Sequence, residues 1–426
     1  MFFKLLIIKY WLILRFHKPR SRTALKKLQQ KCWRKFQKVL QRTPFYRAQS
    51  LQETPLLDYP LMNKASFMAQ FDQLNTQGVR VKEAYQVALA AEESRDFSPE
   101  IAGVTVGLSS GTSGNRGIFL ASKKERAFWV AAILDRVIGF SLKKRSVAFF
   151  LRANSNLYSS VKSRILRFEF FDLYDAMTHH VQRLNQLNPS ILVAQPSMLL
   201  ELAKEIKQGH LQIQPQKIIS VAEVLYAEDK ALLEATFGQM IHEVYQCTEG
   251  FLAHTCAHGT LHFNEDFLMI EKKYLDDSKT RFHPIITDLK RSSQPIVRYE
   301  LNDIVQEKAH CPCGSPMMAI AQIEGRSDDV LLFETVNNQQ VKIYPDFFRR
   351  AIITADAAIQ DYTLVQRQPN LLELYLLGTE ASFERAKQSI EALLAKYQVT
   401  SVEIVRVKVK HHEKGNKLRR IKYEQG

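Results

Sequence analysis

Before its closing glycine, the stretch Leu108 to Gly117 holds Ser109, Ser110, Gly111, Thr112, Ser113 and Gly114 in unbroken succession. Glycine lets a backbone bend back on itself and approach a ligand closely. The hydroxyls and N–H groups between the glycines can cradle an anion such as phosphate. A β-branched apolar run, Ile101 to Val106, precedes the stretch, and a helix-like segment from Lys123 follows it. A flexible surface turn has the same composition, so the rest of the chain has to decide between the two.

Further stretches carry chemistry of a related kind. Tyr245-Gln246-Cys247-Thr248-Glu249-Gly250 closes a predicted strand. In an open α/β sheet, strand carboxyl ends form the ligand crevice. There a threonine hydroxyl beside a carboxylate can hold a divalent metal, and a tyrosine can stack on a base. Asp303 lies in a turn between strand-like segments and can accept two hydrogen bonds from a ribose diol, although aspartate is also a common turn former. Gly325-Arg326-Ser327-Asp328-Asp329 puts an arginine and two aspartates at a break in the pattern. Lys417, in the basic stretch Gly415 to Ile421, is a point charge able to stabilise a transition state, or else part of a solvated tail. Cys256 with His258, and Cys311 with Cys313, form two close pairs of soft ligands about 55 residues apart, with His254 and His310 nearby. They suit a tetrahedral structural Zn²⁺, although one residue rather than two separates the members of each pair.

These residues need a scaffold. At 426 residues the chain can form a large domain and a smaller one. Five cysteines point to a reducing compartment rather than a disulfide framework. Short apolar runs at Ser146–Arg152, Phe168–Leu173, Ile191–Ala194, Lys217–Val221 and Met240–Tyr245 alternate with helical patterns at Lys123–Ile138, His179–Leu187, Ser197–Lys207 and Ala227–Phe237. That alternation predicts an α/β architecture with a largely parallel sheet. From Gly259 onward closely spaced strand patterns predict a smaller antiparallel sheet or barrel. After Asp329 the alternation restarts, as expected for a separate C-terminal domain.

Charge is unevenly distributed. Residues 1–52 hold fourteen Lys or Arg and no Asp or Glu, against a net charge of +15 for the chain. Val405 to Gly426 adds +6, so the remainder is acidic. Met1 to Phe16 is apolar but broken by Lys4, Lys9 and Arg15, which makes it too short and too charged to span a bilayer. His17-Lys18-Pro19-Arg20 offers no signal-peptide cleavage site. An amphipathic helix fits better, either packed on the body of the protein or lying on a membrane surface, and Leu25 to Arg42 reads as a second, basic one. No nucleic-acid-binding signature accompanies the basic residues, so no nucleic-acid partner is expected.

Taken in order, the stretches at 109–117, 245–250, 298–303, 325–329 and 417–420 resemble the motifs of the adenylate-forming (AMP-binding) superfamily of acyl/aryl–CoA ligases. Length and Cys-Pro-Cys-Gly are most similar to the phenylacetate–CoA ligase branch, and within it to adenylate-forming enzymes related to the deazaflavin-coenzyme adenylylating synthetases. The resemblance runs from about residue 43 to the end. It implies a large α/β adenylation domain, residues 43–327, of mixed, mostly parallel sheets plus a small antiparallel sheet. A smaller mobile α+β lid domain, 328–426, follows, and 1–42 form basic amphipathic helices ahead of both. It also implies that Ser109, Ser110, Gly111, Thr112, Ser113 and Gly114 hold the β- and γ-phosphates of ATP. Thr248 and Glu249 would bind nucleotide phosphate and Mg²⁺. Tyr245, Ala222 and Glu223 would lie at the adenine, and Asp303 and Arg326 at the ribose. Asp328 would be the hinge, and Lys417 the catalytic lysine, grouped with Arg420.

The implied reaction joins a carboxylic acid to AMP with release of pyrophosphate, then transfers the acyl group to the thiol of coenzyme A or of a carrier protein acting in trans. Two other readings are adenylyl transfer to a phenolic hydroxyl and a non-catalytic protein docking membranes or acidic partners. The chain departs from the superfamily at three points. Arg116 is the only cation of the phosphate loop, Asn302 replaces a glycine before Asp303, and Gln246-Cys247 precede Thr248. Mg²⁺ and Lys417 are therefore expected to do most of the charge work. The acyl pocket is expected between Phe149 and Gln195, with Phe170, Phe171 and Tyr174 as candidates. The expected location is cytoplasmic, with residues 1–42 touching the inner face of the membrane.

Overall fold

The computed structural model describes residues 2–424 except 51–53, 95, 97, 110–115, 140, 142, 152–165 and 411–417. The chain divides into two compact units, one of residues 1–301 and 306–321, the other of 302–305 and 322–426.

The first unit is built on a mixed sheet. Five of its strands are parallel, in spatial order Ile241–Cys247, Lys217–Val221, Ile191–Ala194, Arg145–Leu151, Leu166–Asp172. All four residues of Ile191–Ala194 are buried, which is why this stretch is apolar without alternation. The helices Met177–Leu187, Pro196–Lys207 and Ala227–Phe237 cover it. Their apolar faces join Phe150, Phe171, Leu192 and Ile218 in one core cluster. At Gly250–Thr255 the sheet turns antiparallel. The strands that follow, Leu261–Phe263, Leu268–Tyr274, Arg281–Asp288 and Ile296–Glu300, do not form a sheet or barrel of their own but extend the same large sheet. Local spacing shows hairpins but not the partner at their outer edge, and that partner is what joins them to the parallel strands. A separate antiparallel sheet of three short strands, Glu100–Ile101, Val104–Leu108 and Ile118–Ser122, flanks the Ser/Gly stretch.

Helix α1 (Phe2–Phe16) packs on Lys123–Ile133, with Tyr10 edge-on to Phe128 at 5.5 Å. Helix α2 (Arg22–Leu40) starts at a Ser21 cap and buries Leu25, Trp33, Phe36 and Leu40. Both are part of the first unit. The second unit carries a four-stranded sheet, ordered Glu403–Arg406, Leu371–Leu377, Asp361–Gln368, Ile421–Tyr423, covered by Pro345–Ile353 and Glu380–Lys396. The fold is thus α/β with a large mixed sheet, small antiparallel sheets and an α+β C-terminal unit. No helix of the described residues is long and apolar enough to cross a membrane.

Candidate active site

Three parallel strands deliver their carboxyl ends to one side of the sheet. Ala194 leads to Gln195, Val221 to Ala222 and Glu223, and Cys247 to Thr248 and Glu249. The strand order reverses direction at Arg145–Leu151, and a crevice opens at such a switch point. The side-chain oxygen of Gln195 is buried with no partner among the described residues. Ala222 has a left-handed backbone, φ 70°, a conformation that a non-glycine residue holds only where its surroundings enforce it. Glu223 accepts from the Ser197 N–H and hydroxyl, both at 3.1 Å, and so caps the helix that begins at Pro196. Tyr245 tilts against Phe263 at 6.3 Å.

Thr248 donates to the Glu249 carboxylate at 2.9 Å. Both line a cleft shared with Lys64, Gly117, Phe119 and Arg291. Arg291 donates to the Thr248 carbonyl at 3.0 Å and to the Gln294 side-chain oxygen at 3.1 Å. The same Gln294 oxygen accepts from the Leu120 N–H at 3.0 Å, and its amide donates to the Ile118 carbonyl at 3.2 Å. A continuous polar chain therefore runs from the strand after the Ser/Gly stretch, through Gln294 and Arg291, to Thr248. Arg291 Nε is buried with no partner among the described residues, so its N–H is left unused. Glu125 supports the loop behind Arg291. It forms a capping box with Ser122 and also accepts from the Ser292 and Ser293 N–H groups at 2.5 and 2.9 Å. Asp288 lies beneath, its carboxyl pushed up to about 6 by burial, with the Arg291 charge partly opposing. A Cβ on Gly250 would stand 3.1 Å from an Asp288 oxygen, so the turn after Glu249 has little room for a side chain.

Ser109 is the described end of the Ser/Gly stretch; Ser110, Gly111, Thr112, Ser113 and Gly114 lie outside the described residues. Ser109 and Gly117 are bonded twice, Ser109 N–H to the Gly117 carbonyl at 2.8 Å and Gly117 N–H to the Ser109 hydroxyl at 2.7 Å. Arg116 donates to the Ser109 carbonyl at 2.9 Å and grips the Glu92 carboxylate with both terminal nitrogens, at 2.7 and 2.5 Å. Its guanidinium thus ties Ser109 to Glu92.

In the second unit Arg326 and Asp303 form an ion pair at 3.5 Å. Asn302, in the place of an expected glycine, donates to Asp328 at 2.7 Å, while its carbonyl accepts from Ser327 N–H at 2.7 Å. Arg419 donates from Nε to the buried Asp329 at 2.5 Å, and Arg420 to Asp361 at 2.5 Å. Burial raises the Asp329 carboxyl above its usual range although Arg419 pulls it down. Lys417 lies outside the described residues; the segment just after it is anchored by these two arginines.

The sulfur cluster differs from expectation in one ligand. Cys256, Cys311 and Cys313 come together with His262, not His258, their ligand atoms all within 4.8 Å of one another. His258 is exposed and only its backbone N–H reaches Cys256, at 3.4 Å. The reason is strand geometry. Cys256 and His262 flank a hairpin, with His262 on the neighbouring strand, so distance along the chain misleads. His262 shares a bond through Nδ1 with the Met317 carbonyl at 3.0 Å, which leaves Nε2 facing Cys313 Sγ at 3.4 Å. Burial alone would raise the Cys311 thiol, but hydrogen bonds from Thr260, the Cys313 N–H and His262 bring it down to about 5. His254 stays out of the group; it bonds Asn264 at 2.8 Å, and burial holds it neutral, its pKa lowered to about 3.

Phe171 is not a pocket residue. It is fully buried and stacks on Phe150 at 4.8 Å in the core, whereas Phe170 is half-buried and Tyr174 exposed. Reading the sequence also missed Lys64, Glu125, Arg291, Gln294 and His262. A signal existed for Glu125, three residues after Ser122 at a helix start. None existed for Arg291 or Gln294, whose contacts span 43 and 174 residues.

No protein-family model matches the sequence, and no curated protein sequence matches it. Solved structures do. A 2-hydroxyisobutyryl-CoA ligase in the postadenylation state, in complex with 2-HIB-AMP, superposes with a TM-score of 0.67 at 17% identity, covering 95% of this chain and 89% of that one. The anthranilate CoA ligase AuaEII in complex with anthranoyl-AMP gives 0.54 at 14% identity, over 74% and 64%. ATP-bound MatB from Rhodopseudomonas palustris gives 0.52 at 13% identity, over 71% and 64%. The chain has the fold of these adenylate-forming ligases.

Proposed function

We propose that this protein is an adenylate-forming ligase. It would join a carboxylic acid to the α-phosphate of ATP, release pyrophosphate, and pass the acyl group to a thiol of coenzyme A or of a carrier protein. The observation that carries this is the cleft at the strand ends. There a hydroxyl, a carboxylate and an arginine fork with an unused buried donor converge beside the base of the Ser/Gly loop. The reaction makes negative charge at phosphate oxygens, and fixed cations and dipoles are what lower its barrier.

In this reading Ser109 to Gly114 enclose the β- and γ-phosphates, and Arg291 directs its spare Nε–H at an anionic oxygen. Ala222 and Tyr245 flank the adenine, while Glu223 fixes the helix at Pro196 beside them. Asp303 and Arg326 take the ribose hydroxyls, and Asp328, held by Asn302, is the hinge. Lys417 neutralises charge on the reacting carboxylate. Glu249 and Thr248 offer hard oxygen donors that fit Mg²⁺, which when bound screens the phosphate charge. Cys256, His262, Cys311 and Cys313 fit a structural Zn²⁺, because several crowded sulfurs can lose their protons together only if a cation balances them. ATP–pyrophosphate exchange across aromatic, aliphatic and amino acids tests the proposal. Acid-dependent exchange supports it, and no exchange with any acid class refutes it.

A further inference from the structure

Helix α1 has two apolar stripes. At about 100° per residue, Phe3, Ile7, Tyr10 and Leu14 fall on one side, and Leu5, Ile8, Leu12 and Phe16 on the opposite side. The first stripe is used by the fold. Leu14 is buried, and Tyr10 meets Phe128 of the supporting helix. The second is exposed: Leu5 57%, Ile8 52%, Leu12 42% and Phe16 70%, with Phe2 at 70% beside them. A helix that has already packed one face normally turns a polar face to water. Here the outward face is apolar and bordered by exposed cations, Lys4 along one edge and Lys9 along the other, while Arg15 pairs with the buried Asp135 carboxylate at 3.9 Å. The next helix shows a solvent-facing row of Lys27, Lys31, Arg34 and Lys38. No acidic residue occurs before Glu53.

We infer that α1 docks the protein on an anionic lipid surface, lying in the interface with Leu5, Ile8, Leu12 and Phe16 inserted and Lys4 and Lys9 at the headgroups. Charge selects this occupant. A second copy of the chain would bring the same cations against these, whereas an anionic bilayer neutralises them. A nucleic acid would use the cations but leave the apolar stripe wet. A spanning arrangement is excluded for α1 because fifteen residues cover about 22 Å, short of the hydrocarbon core. A helix with one face on its own protein and the other apolar and rimmed by lysines has the geometry of a monotopic anchor.

The test is sedimentation of the full chain with vesicles of phosphatidylcholine carrying one-third phosphatidylglycerol, against vesicles of phosphatidylcholine alone. The expected result is binding that strongly favours the anionic vesicles and weakens with added salt. A Leu5→Ser, Leu12→Ser, Phe16→Ser variant should lose about a hundredfold in partition coefficient. Lys4→Gln and Lys9→Gln should lose about fivefold each. Thermal unfolding of every variant should match the parent, because the altered side chains face water. No binding to anionic vesicles, equal binding to both kinds, or unchanged binding of the triple variant overturns the inference. So does lipid-free self-association, in sedimentation velocity, that the triple variant abolishes; the face would then meet a second copy. None of these readouts uses catalysis, so their failure is distinct from failure of the adenylation reading.

Discussion

Arg291→Ala tests whether the cleft proposed for ATP is held by a polar chain or by packing alone. The guanidinium makes two hydrogen bonds, to the Thr248 carbonyl at 3.0 Å and the Gln294 oxygen at 3.1 Å. A hydrogen bond from a charged donor contributes about 1.5–3 kcal/mol, so the ceiling for the pair is about 3–6 kcal/mol. Arg291 is only half-buried, and water will replace part of what is lost. About 2–3 kcal/mol should remain, which at about 1.4 kcal/mol per tenfold is about a 30- to 150-fold fall in kcat/KM for ATP. The assay is acid-dependent ATP–pyrophosphate exchange as a function of ATP concentration, with urea unfolding run in parallel. Arg291→Lys keeps the charge but not the fork, so it should recover less than half of the lost free energy. Unchanged kcat/KM for ATP in Arg291→Ala would refute the chain from Gln294 to Thr248. So would a loss fully explained by the fraction unfolded.

Other outcomes follow from the same geometry. Lys417→Ala should abolish pyrophosphate exchange while ATP binding, read by calorimetry, stays nearly intact; unchanged exchange would remove its assigned role. Atomic emission should find about one zinc per chain, lost with a lower Tm in His262→Ala but retained in His258→Ala. Asp288 is raised by burial to about 6 from an ordinary 3.8, so the folded chain holds its proton more tightly than the unfolded chain does. The stabilisation it gives is therefore complete below pH 3.8 and is lost as pH rises through about 6. Asp288→Asn should gain stability relative to the parent between pH 4 and 7 in urea titrations; a constant difference would contradict the shift.

What the sequence discloses and what it conceals divide by range. The strand ends at Ala222 and Thr248 are legible because an apolar run followed by small or polar residues marks a sheet edge locally. The parallel strands are legible too, since burial on both faces leaves Ile191–Ala194 with no polar residue at all. The outer antiparallel strands look alike in sequence whether they close on themselves or join the larger sheet, because hairpin signals fix only the neighbour across the turn. Phe170 and Phe171 are adjacent and aromatic, yet strand alternation sends them to opposite faces, and only Phe171 enters the core. His262 was hidden for a similar reason. A ligand set formed across a hairpin does not keep the tight spacing of a knuckle.

Arg116 shows how a cation in the right motif can have a different task. As the sole cation of the Ser/Gly stretch it invites assignment to phosphate, but its fork is committed to Glu92 and the Ser109 carbonyl. Glu92→Gln distinguishes the two roles by sign. If Arg116 waits for phosphate, removing Glu92 releases it and ATP binds more tightly. If Arg116 latches the loop, Glu92→Gln loosens the loop base and ATP binds more weakly. The pair is about one-third exposed, with side-chain accessibilities of 28% and 35%, so its contribution is at most about 1 kcal/mol, or about a fivefold rise in KM for ATP. Arg116→Met should produce a change of the same sign, and the double variant should add little to either, because both single changes open one latch. Tighter ATP binding in Glu92→Gln would return Arg116 to the phosphates.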